Sequence, residues 1–270
     1  MDSEFRYIDV HTHLNLDAFD ADRTAVETRT LEDRVAHINV GTARETSEAA
    51  IRLAESFNAG VYATVGLHPV RASGASEHEG TEAFDHEAFQ ALGAHEKVVA
   101  IGECGLDYFR VEKDTKAKQE GAFSAQIALA NELEKPLMLH IRDEKGKMDA
   151  YEDALAILKR EAKVLGNVHF FAGTYDIAKR FWEMGYTTSF TGVVTFADEY
   201  DDIIKNAPLD MLHAETDAPY VAPVPFRGTR NEPAHVREVY ARIAALRSED
   251  PEVVRRALLE NARRLFGVLI

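Results

Sequence analysis

A chain of 270 residues with 46% hydrophobic content can bury a full core, which excludes an intrinsically disordered protein. A net charge of −15 argues against polyanionic partners in general, so any phosphate must be met by a local basic surface. The single cysteine, Cys104, excludes an intrachain disulfide framework and suits a reducing compartment.

The start, Met1-Asp2-Ser3-Glu4, is acidic and no apolar segment of a secretion signal follows it. No apolar run reaches the roughly 18 residues of a membrane span, so a cytoplasmic protein is expected. Tyr7–Val10 is the first of eight short apolar, β-branched runs. The others are Val35–Val40, Val61–Val65, Val98–Ile101, Pro136–Leu139, Asn167–Phe171, Tyr186–Phe190 and Met211–Ala214. Their mean spacing, about 29 residues, is close to one βαβ unit. Amphipathic patterns lie between them, as in Glu120–Glu134, where Phe123, Ile127 and Ala130 recur at helical spacing. Two helices close the chain, one with Val236, Val239, Tyr240 and Ile243 on a face, the next with Val254, Leu258 and Leu265. Residues 72–82 and 140–147 read as polar loops. The alternation predicts an α/β fold, a (β/α)8 TIM-like barrel spanning 1–270 as one domain, with its active site at the C-terminal strand ends. An open doubly wound sheet is the alternative, but no Gly-rich phosphate fingerprint follows the first strand.

The first run leads into Asp9-Val10-His11-Thr12-His13, and strand alternation predicts Asp9, His11 and His13 on one face. With 11 His in the chain, chance supplies roughly 0.4 His-x-His pairs, and an Asp two residues upstream lowers this to about 0.03. Further ligand types sit at other strand ends: Glu103 after Val98–Ile101, His140 after Pro136–Leu139, His169 within Asn167–Phe171, and Asp217 after Met211–Ala214. Taken singly, each fits a core histidine, a helix cap or a turn. Jointly, at one rim of a barrel, they form a metal centre. Four His and two or three carboxylates exceed the needs of one tetrahedral ion and suit two divalent ions. Mixed ligation is compatible with Zn, Mn or Mg and selects none of them.

In order along the chain stand Asp9-Val-His-Thr-His13, Gly66-Leu-His-Pro69, Gly102-Glu-Cys-Gly-Leu-Asp-Tyr108, Leu139-His-Ile-Arg-Asp143, Val168-His-Phe-Phe-Ala-Gly173, Glu215-Thr-Asp-Ala-Pro-Tyr220, Arg227-Gly-Thr-Arg-Asn-Glu-Pro233 and Asn261-Ala-Arg-Arg-Leu-Phe266. The series resembles the TatD family of metal-dependent deoxyribonucleases, within the amidohydrolase-like barrels. The resemblance implies that His11, His13 and Asp217 bind one metal, that His140 and His169 bind the other, and that Glu103 bridges them. It gives Asp217 and Glu103 the catalytic roles, makes Asp9 and Glu215 residues that orient ligands, and brings His68 within reach of a phosphate. Two features depart from the family: Ala172 stands where a Ser or Thr is usual, and residues 72–82 are acidic, with Glu77, Glu79 and Glu82. Glu103 also separates the chain from phosphotriesterase-like hydrolases, which bridge their metals with a carbamylated lysine.

Basic residues follow three of the ligand-bearing strands: Arg110, Lys113, Lys116 and Lys118; Arg142, Lys145 and Lys147; and Arg227 and Arg230. Arg142, Arg227 and Arg230 lie in the matched motifs and can fork onto phosphate. Tyr108 or Phe109 offers a ring for an unpaired base. The implied reaction is two-metal hydrolysis of a DNA phosphodiester, with a 3′-5′ exonuclease on single-stranded ends preferred over an abasic-site endonuclease. The alternatives are a metal-dependent hydrolase of a small ester, amide or lactone, and a zinc-binding scaffold. No protein partner is evident in the sequence, and a monomer is the default expectation.

Overall fold

The computed structural model describes residues 5–74, 81–110 and 115–270. From the N-terminus come β1 (Tyr7–Thr12), α1 (Arg23–Glu32), β2 (Val35–Val40), α2 (Arg44–Glu55), β3 (Val61–Val65), α3 (Pro69–Ser73), α4 (His86–Gly93) and β4 (Val98–Asp107). The second half holds α5 (Lys116–Leu133), β5 (Leu137–Arg142), α6 (Asp149–Glu161), β6 (Gly166–His169), α7 (Tyr175–Glu183), β7 (Thr187–Phe190), α8 (Asp201–Asn206), β8 (Leu212–Ala214), α9 (Val236–Arg247) and α10 (Pro251–Phe266). The strands pair in parallel in the order β1 to β8. Two bonds carry the ladder from the end of β8 back to β1: the Asp217 amide donates to the His11 carbonyl at 2.9 Å, and the His13 amide to the Ala218 carbonyl at 2.8 Å. The result is a nearly closed (β/α)8 barrel, as the alternation of runs predicts.

The strands are buried on both faces, which explains their continuous apolar runs. Ile8, Val10, Ala36, Ile38, Ala100 and Met138 form one cluster with Phe5, Phe266 and Val268. Residues of β1 and β5, on opposite sides of a barrel, meet only across its lumen, so this cluster fills the interior below the rim. A larger cluster fills the space between strands and helices, with Ile127, Leu155, Phe181, Val239 and Leu258 among its members.

Two bulges decide where the rim side chains point. Asp9 pairs with His37 but Thr12 with Asn39, so β1 takes three steps where β2 takes two. Ile101 pairs with Leu137 but Cys104 with Leu139, the same extra residue in β4. A bulge re-aims the side chains beyond it. Hence Val10 and His11, neighbours in sequence, both face inward, and Glu103 joins Ala100 on the inner side although it stands an odd three positions further on. In β5 and β6 no bulge is needed, because Met138 and His140, and Asn167 and His169, already alternate.

The bulge corrects the expectation that Asp9 shares a face with the two histidines. Asp9 is in register with His37, which pairs with Glu27 of α1 at 3.0 Å, so both lie on the helix side of the sheet. Several strand ends are also corrected. β1 continues to Thr12, β4 to Asp107 and β5 to Arg142, placing Glu103 and His140 inside strands and moving residues 140–142 out of the expected loop. Gly102 and Gly105, both within β4, have φ of 144° and 140°. They let the bulged β4 press against β5: a Cβ at Gly102 would lie 2.2 Å from the Met138 carbonyl oxygen, and one at Gly105 2.1 Å from that of His140. Gly105→Ala is therefore expected to lower the unfolding free energy by at least about 2 kcal/mol, read from the urea midpoint. An unchanged midpoint would show that the two strands have room to spare. β6 stops at His169 because Phe170 adopts φ 42°, and Met211 belongs to a short 3-10 turn before β8. The acidic centre of the 72–82 loop, with Glu77 and Glu79, falls outside the described residues, as does Lys113.

Candidate metal centre

His11, His13, Glu103, His140, His169 and Asp217 converge at the C-terminal mouth, each at most 9% exposed. The two carboxylate oxygens of Glu103 face different pairs. Oε2 lies 3.7 Å from His11 Nε2 and 3.8 Å from His13 Nε2. Oε1 lies 2.8 Å from His140 Nδ1 and 2.9 Å from His169 Nε2. Asp217 Oδ1 completes the first group, 3.7 Å from His11 Nε2 and 3.4 Å from His13 Nε2.

Hydrogen bonds behind the rings decide which nitrogens are free to bind. His13 Nδ1 donates to the Val40 carbonyl at 3.0 Å, which leaves the Nε2 lone pair facing the centre. His169 turns Nδ1 toward Glu215 Oε1 at an ion-pair distance of 3.4 Å, without a hydrogen bond between them, and points Nε2 at the centre. Glu215 in turn accepts from the Phe170 amide at 2.7 Å and from Ser189 Oγ at 2.6 Å, so it holds both the ring and the backbone of the His169 segment. Asp9 works through backbone. Its carboxylate accepts from the His11 amide at 3.2 Å, the Thr216 amide at 2.8 Å and Thr216 Oγ1 at 2.5 Å, tying β1 to the segment that carries Asp217. Burial raises the Asp9 carboxyl to about 8 against these bonds.

Burial would raise the Glu103 carboxyl, but His169, His68 and His140 hold it well below the carboxylate range. Burial alone would depress His169, yet Glu103 and Glu215 raise it well above an ordinary imidazole. His11, desolvated and beside His169, is driven the other way. These buried donors fit a divalent cation, which would displace the protons that His13, His140 and His169 hold beside carboxylates and bind neutral imidazoles and the ionised Glu103, in sets of three within 4.8 Å. The sets are His11, His13 and Glu103; His11, His169 and Asp217; Glu103, His140 and His169; and His68, Asp107 and His140.

His68, in the last of these sets, has the proton of its ring placed by a backbone contact. As the N-cap of α3 its Nδ1 accepts from the Val70 amide at 3.2 Å, so the proton of the neutral ring sits on Nε2. That N–H is 3.5 Å from Glu103 Oε1 and is a donor, suited to an oxyanion. Burial lowers the His68 imidazole to about 3, which keeps the ring neutral.

Asp107 is the residue the sequence reading missed. Its Oδ2 lies 3.0 Å from His140 Nε2, and its Oδ1 accepts from the amides of Phe109 and Arg110 at 3.0 and 2.8 Å. Burial would raise this carboxyl, but the hydrogen bond from His140 and its charge hold it at about 2. The signal was available: beyond the bulge, residues 103 and 107 of one strand share a face. Asp107→Asn is expected to weaken metal binding or turnover roughly 10- to 100-fold while the circular dichroism spectrum stays constant. Wild-type affinity in a metal titration would reduce Asp107 to a turn former.

The basic residues are placed unevenly. Arg230 is committed to both oxygens of Asp22, at 2.8 and 2.7 Å, and Arg110 Nε is 3.9 Å from Asp107. Lys116 pairs with Asp153 and Lys147 with Glu144, each at 2.6 Å. Arg142 and Arg227 are engaged by aromatic rings instead, Phe109 and Phe196 respectively.

A family model described as TatD related DNase matches residues 8–267. The chain belongs to this family. It is 40% identical over 265 residues to an uncharacterized metal-dependent hydrolase, YabD, of Bacillus subtilis, covering 96% of this chain and 98% of that one. It is 34% identical to a protein of Musicola paradisiaca described as a 3′-5′ ssDNA/RNA exonuclease, TatD, covering 96% of this chain and 97% of the other. Among solved structures, the TatD homologue YjjV of Escherichia coli K12 superposes with a TM-score of 0.84 at 32% identity, over 98% of this chain and 99% of that one. The chain is thus a metal-dependent hydrolase of the TatD family, and the buried donor sets at its mouth are of the kind that binds metal ions. Among the described residues, no helix is long and apolar enough to cross a membrane.

Proposed function

We propose that the protein hydrolyses DNA phosphodiesters with two divalent ions, removing nucleotides from the 3′ end of single strands. The observation that carries this reading is Glu103, whose two oxygens serve two separate histidine pairs. His11, His13 and Asp217 would hold one ion and His140 and His169 the other, with Glu103 between them. Bound divalent ions supply Lewis acidity to the phosphoryl oxygens and acidify water. Asp217 orients the attacking water and accepts its proton. The Nε2–H of His68 donates to a phosphoryl oxygen, and Arg142 and Arg227 hold the strand in line. Arg110, 3.9 Å from Asp107, is given no strand contact in this assignment, and Arg230 acts chiefly by fixing the rim through Asp22. The printed description of the Musicola relative supports the polarity and the substrate.

The test is end-labelled single-stranded DNA on a sequencing gel, with metal-stripped protein to which Mg, Mn or Zn is restored. A ladder shortening from the 3′ end, absent with chelator, is the expected result. Intact DNA alongside rapid hydrolysis of a small ester or lactone would transfer the assignment to that substrate class.

A further inference from the structure

Two exposed phenylalanines at the mouth share an arrangement that the metal chemistry does not use. Phe109, just past β4, is 53% exposed, and the guanidinium of Arg142 at the end of β5 lies 4.8 Å from its ring centre. Phe196, past β7, is 43% exposed, with the guanidinium of Arg227 3.9 Å from its ring centre. Packing does not explain either ring, since much of each faces solvent. The charges are equally selective. In a chain with 46 acidic side chains, no carboxylate pairs with Arg142 or Arg227 among the described residues, whereas Arg230, Lys116 and Lys147 all have one. Each pair therefore joins a partly open stacking face to a cation with no carboxylate partner among the described residues, although Arg227 also donates to the Ala222 carbonyl at 3.0 Å.

Their placement is also paired. One sits at the β4–β5 side of the mouth and the other at the β7–β8 side, with His169 of β6 between them. Resting on the phosphodiester reading above, we propose that Phe109–Arg142 and Phe196–Arg227 are two nucleobase-stacking subsites, one on each side of the scissile phosphate. A base in an unpaired strand can leave its neighbours and lie on a phenyl face, while a base in duplex is held in its stack. The two platforms thus select single-stranded, base-bearing DNA. Tyr108 does not compete for this role, because its ring is partly buried and its hydroxyl is bound to Asp153 at 3.0 Å.

The experiment compares initial rates on an oligothymidylate and on a strand of equal length whose last three residues are abasic tetrahydrofuran units. Phe109→Ala and Phe196→Ala are each expected to raise KM for the oligothymidylate about tenfold. Removing the bases should raise the wild-type KM about a hundredfold, the loss of both platforms, and that of each variant only about tenfold, while Phe196→Trp retains the wild-type value. Variants with wild-type KM, or variants that lose equally on both strands, overturn the stacking subsites. Wild type that cleaves both strands with one KM does so too, yet leaves the nuclease reading standing. Wild type that cleaves neither strand but hydrolyses bis(4-nitrophenyl) phosphate overturns the nucleic-acid reading itself, and the subsites with it.

Discussion

Glu103→Gln is expected to reduce bound metal below two ions per chain and to slow turnover by roughly a thousandfold or more. The magnitude follows from the several kcal/mol that Lewis-acid stabilisation contributes to phosphoryl transfer. Glutamine keeps one oxygen and turns an NH2 group, which has no lone pair to offer, toward the other pair of imidazoles. Both pairs lose the anion, and whichever way the amide is oriented either His11 and His13 or His140 and His169 also lose the acceptor oxygen. The side chain is 4% exposed, so bulk water cannot replace the lost oxygen. Asp217, Asp107 and Glu215 still face His13, His140 and His169, so these imidazoles keep a counter-charge and the barrel should remain folded. Elemental analysis gives the stoichiometry, and the rate assay gives the loss. Two ions per chain with turnover within tenfold of wild type would remove Glu103 from the centre.

How much of this was legible beforehand depended on whether strict alternation holds. His140 and His169 sit on regular strands, so a period of two places them inward beneath the same rim as Met138 and Asn167. The eight-strand barrel was legible for a similar reason, since each strand is buried on both faces and reads as an apolar run. Asp9 and Glu103 were not so simple. One extra residue in β1 and one in β4 invert the parity at the positions where the ligands begin, and no local sequence preference marks either bulge. The strand ends were missed because Gly102 and Gly105 look like breakers, while here they allow close approach of β4 to the β5 backbone. The state of each basic side chain was also illegible. Arg142, Arg227 and Arg230 look alike in sequence, and only tertiary placement commits Arg230 to Asp22.

Asp217→Asn should abolish most turnover, by roughly 10²- to 10⁴-fold, while leaving the metal-free protein as stable as wild type. The reason begins with the backbone. Asp217 has φ 53°, a left-handed conformation that most side chains resist, and it is pinned there by its amide on the His11 carbonyl and by its carbonyl accepting from Tyr220. Asparagine, like aspartate, tolerates this region, so the substitution changes charge without adding strain. Alanine would conflate the two effects, because it adds about 1 kcal/mol of backbone cost. What asparagine loses is the anion 3.4 Å from His13 Nε2 and 3.7 Å from His11 Nε2, and with it both a ligand charge and the proton acceptor for water. Strand binding by Arg142 and Arg227 does not depend on that charge, so the loss should fall on kcat and leave KM nearly constant. Thermal melts of the stripped protein and steady-state rates separate the outcomes. A lowered melting temperature with normal kcat would make Asp217 a structural turn residue, whereas an unchanged melt with collapsed kcat places its carboxylate in the chemical step.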